Sequence, residues 1–205
     1  MVRGNGIFGA GTNLSSRLIT DFQKLSTQVE ACRAFGYRIV LTSGTFDLAH
    51  PGHARYLEEA RTHGDILVVG VDSDEKTRAR KGDDRPLIPQ DERIEMLAHL
   101  RHVDLIFLKE LNHPHWELIR CVQPDVLIVS SSTKPYSDAE LAQLKALCGD
   151  GRGEVIVLPP QATTSASARI RRFQIGIAQK IAADLAKAMP PVIDEVVARY
   201  TGGQK

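Results

Sequence analysis

Cysteine is scarce in this 205-residue chain: Cys32, Cys121 and Cys148 are the only three, widely spaced and odd in number. No C-x-x-C pair occurs, so neither a zinc site nor a disulfide framework is suggested, and three ordinary thiols are expected. An excess of either charge is also missing. Lys and Arg total 26 against 25 Asp and Glu, a formal net charge of +1. That balance speaks against bulk nucleic-acid binding and against a polybasic membrane patch, so any anion site must be local. No apolar run approaches the roughly 18–20 residues that span a bilayer. The opening stretch "MVRGNGIFGAGTNLSS" lacks the apolar core of a signal peptide. There is no internal repeat and no low-complexity segment. The expectation is a soluble cytoplasmic protein with no nucleic-acid or membrane partner.

The composition, 42% hydrophobic and 25% charged, suits one globular domain with a real core plus appendages. Residues 1–14 read as a loosely docked arm. They contain a literal G-x-G-x-x-G, from Gly4 to Gly9, but that motif needs a strand before it, and only Met1, Val2 and Arg3 precede it. Over residues 15–36, Leu18, Ile19, Phe22, Leu25, Val29 and Cys32 recur at helical spacing, and Gly36 is a stop.

From residue 38 the chain alternates. Apolar runs at 38–43, 65–72, 103–108, 125–130 and 154–159 read as five buried strands. Helical patterns at 52–63, 90–100, 115–122 and 138–148 separate them. The strands are near-continuous Val, Ile and Leu, which parallel strands covered on both faces require. The order predicts an α/β fold built on a doubly wound, parallel, five-stranded sheet. A helix is expected over 165–188, an interruption at Pro190 and Pro191, and a last helix over 192–200. The predicted organisation is an N-terminal arm and helix (1–36), a main domain (37–175) and a C-terminal helical tail (176–205).

One decapeptide, "GTFDLAHPGH" from Gly44 to His53, lies just beyond the first of these strands. In open α/β sheets ligands bind there, at the carboxyl ends of strands, where helix N-termini point. Pro51 suits the first helical position because its missing amide is not needed. Gly52 lets a ligand come close to the backbone. His50 and His53, three apart, can point to one side and donate to phosphate oxygens beside exposed amides. An ordinary strand-to-helix turn with two solvated histidines is the plainer alternative. Metal ligation lacks a third ligand and lacks the spacing of metalloprotease motifs. Elsewhere, "NHPHW" at 112–116 is read as a turn into a helix, and Arg78, Arg80, Lys81 and Arg85 as a solvated loop that can steer an anion.

The longer string "GTFDLAHPGHARYLEEAR" resembles the HxGH motif of the cytidylyltransferase-like nucleotidyltransferases. These include glycerol-3-phosphate cytidylyltransferase, the adenylyltransferase domain of heptose-phosphate enzymes and archaeal FAD synthetase. The resemblance continues through "GDILVVGVDSDEKTRARKGDDRPLIPQDERIEMLAHLRHVD" and covers residues 38–108 closely, with a looser match at "TTSASARIRR". "RIVLTSGTFDLAHPGH" and "RPLIPQDER" look most like the heptose-1-phosphate adenylyltransferase branch. The resemblance implies a Rossmann-like domain that transfers a nucleotidyl group from a nucleoside triphosphate, ATP before CTP, to a phosphorylated sugar or polyol. Pyrophosphate would leave, Mg²⁺ would accompany the triphosphate, and a homodimer is expected.

Carried over by the resemblance, His50, His53 and Lys81 would be catalytic, contacting the triphosphate and its transition state. Thr45, Phe46, Asp47 and Gly52 would shape the phosphate loop, and Arg93 would lie near the active site. Thr164, Ser165, Ser167 and Arg169 would bind the triphosphate at a later helix start, and Asp74 would face the acceptor. The simpler readings are a solvated loop for Lys81, a surface ion pair with Glu92 or Glu95 for Arg93, and a plain capped helix for the last motif. Departures from the pattern are Ala168 where relatives have Thr, Ser130-Ser131-Ser132-Thr133 where they often have an acidic "GGD", and Pro160-Gln161-Ala162-Thr163 for "RTEG". They leave open a CTP-dependent enzyme acting on an alcohol phosphate, and a non-catalytic nucleotide-binding module. A fragment related to class I tRNA synthetases is disfavoured, since no anticodon-binding domain is present.

Overall fold

The computed structural model describes residues 14–132, 135–162 and 166–201. The chain divides into two compact units, Met1–Thr163 and Thr164–Lys205.

The first unit is built on six parallel strands: β1 (Leu18–Ile19), β2 (Ile39–Gly44), β3 (Ile66–Asp72), β4 (Leu105–Lys109), β5 (Val126–Ser130) and β6 (Glu154–Leu158). Their order is β1-β4-β3-β2-β5-β6, so the winding reverses between β2 and β5. β3 is buried along its whole length and β2 over its first four residues, which accounts for the apolar runs there. Alternate residues serve opposite faces. Val40, Leu67, Val69, Ile106 and Val126 pack under α3 (Pro51–Arg61) and α5 (Gln90–His99). Ile39, Leu41, Val68, Phe107 and Leu127 pack under α2 (Phe22–Ala34), α6 (Glu117–Val122) and α7 (Asp138–Ala146). Helices on both faces give the expected doubly wound, Rossmann-like arrangement.

The sheet has six strands rather than five. Residues 15–36 are not one helix: a turn of helix, α1 (Leu14–Arg17), leads into β1, which pairs with β4 through Leu18 and Ile106, and α2 follows. Asp21 caps α2 by accepting the Lys24 amide at 2.8 Å. Tertiary pairing overrides the helical spacing because Ile19 is buried against the β4 edge. A further helix, α4 (Asp74–Lys81), occupies a stretch expected to be loop. Ser73 caps it through the Lys76 amide at 3.1 Å, and Gly82 ends it at φ 96°.

The second unit contains α8 (Ala166–Thr201), one continuous helix with Pro190 and Pro191 inside it. The expected interruption does not occur. Proline's fixed φ is close to helical, so the chain continues its path at a cost of about 3 kcal/mol or more per proline in lost bonding and crowding. No helix among the described residues is long and apolar enough to cross a membrane.

Candidate active site

The loop after β2 opens at the winding reversal, the place where an α/β sheet leaves a crevice at its carboxyl edge. Tyr56 ties the two diverging strands together. Its hydroxyl lies 2.8 Å from Thr42 Oγ1, and Thr42 Oγ1 donates to the Ile128 carbonyl at 3.0 Å. Burial pushes the Tyr56 phenol up to about 12, so it stays neutral.

His50 takes the N-cap position of α3 with extended backbone, followed by Pro51 at N1. Its Nδ1 accepts the Gly52 amide at 3.0 Å, and His53 Nδ1 accepts the His50 amide at 3.3 Å. A ring nitrogen that accepts an amide proton is unprotonated, so each neutral imidazole carries its proton on Nε2. The two rings lie 4.1 Å apart, centroid to centroid. The helix start therefore sets two oriented imidazoles beside its own amide dipole. His53 is held down to about 4, first by burial, then by His50 and Lys81, with Asp47 opposing. It is neutral at pH 7.

Gly52 also has a packing reason, beside the ligand approach expected of it. A Cβ there would sit 2.5 Å from the Ala162 Cβ and 2.7 Å from His50 Cε1. The segment after β6 thus packs directly on the first turn of α3.

Thr45, Phe46 and Asp47 are all buried. Phe46 adopts φ 54° and sets its ring against that of His53, with centroids 5.7 Å apart. Asp47 braces the loop: it accepts the amides of Leu87 and Ile88 at 3.1 and 3.0 Å and pairs with Arg85 at 2.7 Å. Arg93 is not a surface ion pair with Glu92 or Glu95. It is 2% exposed and donates to the Ile88, Thr45 and Asp72 carbonyls and to Asp74 Oδ1, the last at 2.7 Å. Arg93 and Asp74 therefore meet each other, and the arginine fastens the ends of β2 and β3 together.

Lys81 stands at the last position of α4, exposed, and not in a loop. Partial desolvation, then Arg80 and Arg85, lower its ammonium below the ordinary lysine value. Around it lies a group of charges that sequence reasoning missed or read as solvated. Asp72, buried at the end of β3, binds Arg80 at 2.7 Å and Lys109 at 3.1 Å. Arg80 also donates to Thr45 Oγ1 at 2.8 Å. Burial pushes the Asp72 carboxyl up, but Lys109, Arg80 and Lys76 outweigh it and hold the group below its usual range. Asp72 and Lys109 are cross-strand partners in register. The available signal was a charged residue closing each of two apolar strands, "ILVVGVD" and "LIFLK".

Thr164 and Ser165 lie outside the described residues, as does the Gly4–Gly9 motif. Ser167 and Arg169 belong to the first turn of α8, in the second unit. Ser130 and Ser132 hydrogen-bond to each other at 2.7 Å where β5 ends. A cavity of about 520 Å³ opens at the opposite, amino edge of the sheet, among Arg33, Arg38, Asp125 and Arg152. It contains none of the candidate residues.

A family model described as cytidylyltransferase-like matches residues 41–172. Proteins named "Bifunctional protein HldE" are similar in sequence. That of Desulfatibacillum aliphaticivorans is 39% identical over 148 residues, covering 72% of this chain and 29% of its own. That of Shigella sonnei is 38% identical over 152 residues, covering 74% and 31%. The chain thus spans about a third of the length of these curated relatives. In fold, it is similar to the pantoate-beta-alanine ligase of Francisella tularensis, with a TM-score of 0.50 at 16% identity over 74% of this chain and 69% of that one.

Proposed function

The chain belongs to the cytidylyltransferase-like family, and from that premise we propose that it is a nucleotidyltransferase. An oxygen of the acceptor's phosphate attacks the α-phosphorus of a nucleoside triphosphate in line. One P–O bond forms, the bond to the β-phosphate oxygen breaks, and pyrophosphate leaves. ATP and a sugar or polyol phosphate are the proposed pair, on the likeness of "RIVLTSGTFDLAHPGH" and "RPLIPQDER" to heptose-1-phosphate adenylyltransferases.

The observation that carries this reading is the histidine pair at the N-terminus of α3, each ring oriented by an Nδ1–amide bond that leaves Nε2 as its donor nitrogen. Such donors need no reorganisation when charge grows on phosphate oxygens, and the chemistry is mostly positioning and charge stabilisation. A neutral His53 donates a hydrogen bond without supplying a proton. Lys81, Arg80 and Lys109 add positive charge at the same edge of the sheet, with Asp72 setting the direction of two of them. Asp47 and Arg93 touch no reacting atom in this scheme; they hold the loop and the strand ends.

Mg²⁺ enters as part of the triphosphate substrate. The buried carboxylates Asp47 and Asp72 are engaged by Arg85, Arg80 and Lys109. No cluster of three or more metal-ligating side chains is present among the described residues. These residues do not fit a protein-built cage, and phosphate oxygens with water are the ligands expected for the ion.

The test is pyrophosphate release with Mg²⁺, offering ATP, CTP, GTP and UTP against a panel of sugar and polyol phosphates. One triphosphate and one acceptor should both be required. His50→Ala and His53→Ala should each lower kcat by about 10²–10³, the loss typical of removing one such donor. Nucleotide binding with no release for any pair would turn the assignment toward a binding module.

A further inference from the structure

Lys109 closes β4, but its side chain leans across the neighbouring strand. A Cβ built on Gly70 of β3 would meet Lys109 Cδ at 2.9 Å and Ser43 Oγ at 2.6 Å. The bare backbone at residue 70 thus lets the lysine cross one strand spacing, about 5 Å, and set its ammonium 3.1 Å from Asp72 Oδ1. Arg80 takes the other oxygen, Oδ2, at 2.7 Å and touches Thr45 Oγ1 in the loop after β2.

This group holds more positive charge than an ion pair needs. The Asp72 side chain is 6% exposed, whereas those of Lys109 and Arg80 are 24% and 48% exposed. Partly exposed pairs add little stability, and one cation would neutralise the acid. A third cation, Lys76, stands close by. Burial, then repulsion from Lys109, holds its ammonium below the ordinary lysine value, with Asp72 opposing and Glu110 adding a smaller opposing charge. Lys76 Nζ donates to the Glu110 carbonyl at 2.9 Å and to the His113 carbonyl at 3.4 Å. The loop after β4 is thereby fastened to α4, and the cations are held together at the edge of the sheet. Charge of one sign gathered there draws an anion.

Position identifies the anion. In the proposed reaction the triphosphate meets the N-terminus of α3, beside the crevice between β2 and β5. β3 and β4 lie on the other side of β2. In-line displacement brings the nucleophile to the phosphorus from the side opposite the leaving group, so the acceptor occupies the flank that the triphosphate leaves open. A phosphate monoester carries close to two negative charges near pH 7. An ammonium and a guanidinium side by side suit its oxygens as donors of charge-assisted hydrogen bonds.

We infer that Lys109 and Arg80 bind the phosphate of the acceptor, and that Lys109 thereby selects phosphorylated acceptors. The inference deepens the proposed transfer reaction and rests on it for the identity of the acceptor.

Lys109→Met and Arg80→Met each keep an apolar stem and lose the charge. In the pyrophosphate-release assay, each should raise the KM of the acceptor by about 10–100-fold, the loss of one charged hydrogen bond, and leave the KM of the triphosphate within about twofold. Lys109→Arg should recover part of the loss. Independently of turnover, inorganic phosphate is titrated without nucleotide into ¹⁵N-labelled protein. The amides of Ser73 and Glu110 should shift in the wild type and stay still in Lys109→Met, while shifts at Gly52 and His53 persist in both. No release with any substrate pair, together with Lys109-dependent phosphate shifts, would overturn the transfer reaction and uphold the phosphate site. An acceptor KM unchanged in Lys109→Met, or an equal rise in both KM values, would overturn the inference. So would phosphate shifts at Ser73 and Glu110 that are absent from the wild type or survive the substitution.

Discussion

His53 offers the sharpest quantitative check on the site. In the folded chain its imidazole is held down to about 4, chiefly by burial; unfolded, it returns to the ordinary histidine value near 6.5. Between those values the unfolded chain binds a proton that the folded chain refuses. Stability from this group is therefore complete above about pH 6.5 and is lost as the pH falls toward 4. The linkage relation gives a loss of about 2 kcal/mol by pH 5 and about 3 kcal/mol by pH 4, relative to pH 7. The control is His53→Asn, which keeps an oxygen for the His50 amide but does not titrate. Urea unfolding of both proteins at pH 7, 5 and 4 yields the difference in pH dependence, cancelling the other titrating groups. Imidazole ¹⁵N shifts supply the midpoint directly and report Nδ1 as the unprotonated nitrogen. A midpoint at or above 6.5, or parallel stability losses in the two proteins between pH 7 and 5, would refute the account of His53 as a buried neutral donor.

Three other perturbations probe the frame around it. Arg93→Lys leaves several buried acceptors, including the carboxylate of Asp74, without the fork that joins them. It should cost about 3–5 kcal/mol in urea unfolding, and a loss under 1 kcal/mol would contradict the clamp. Asp47→Asn removes the charge that holds Arg85 and weakens the acceptor for two amides. Hydrogen exchange at Leu87 and Ile88 should then quicken by about tenfold or more while strand amides are unchanged, consistent with the roughly 1.5–3 kcal/mol of a charged hydrogen bond. Gly52→Ala places a methyl 2.5 Å from Ala162 and should cost about 1–3 kcal/mol by overpacking. Pairing it with Ala162→Gly should restore only part of that loss, because the 2.7 Å approach to His50 Cε1 remains.

The sequence announced the parts of the fold that obey one strong rule. β3 is seven residues of apolar or strand-closing type, buried throughout, and no helix pattern competes with it. β1 was illegible because two residues cannot establish a period; only the exposed edge of β4 makes Leu18 and Ile19 a strand. α4 has no apolar stripe at all, so periodicity passes over "DEKTRARK". Its ends were nevertheless written, in Ser73 before two acids and Gly82 after Lys81, and cap signals outweigh periodicity for a short surface helix. Within the site, the histidine pair was visible because its chemistry is local. The Asp72–Arg80–Lys109 group was not, because it joins three elements through strand register, which no single stretch of chain encodes.

The cap geometry of α3 also explains why histidine, and no other side chain, suits both ends of H-P-G-H. Asparagine, aspartate or serine can cap a helix just as well, but their reach ends at the amide they satisfy. Imidazole alone has an acceptor at the δ position and, on the far side of a rigid ring, a donor at ε. Residue 50 must reach the amide two places on, and residue 53 must reach back three, so inserting or deleting one residue between them disconnects both rings. The spacing is thus a property of the helical turn before it is a property of the substrate. A lysine or arginine put at either place would bring charge to the crevice yet leave a backbone amide without its acceptor, and the new cation would wander.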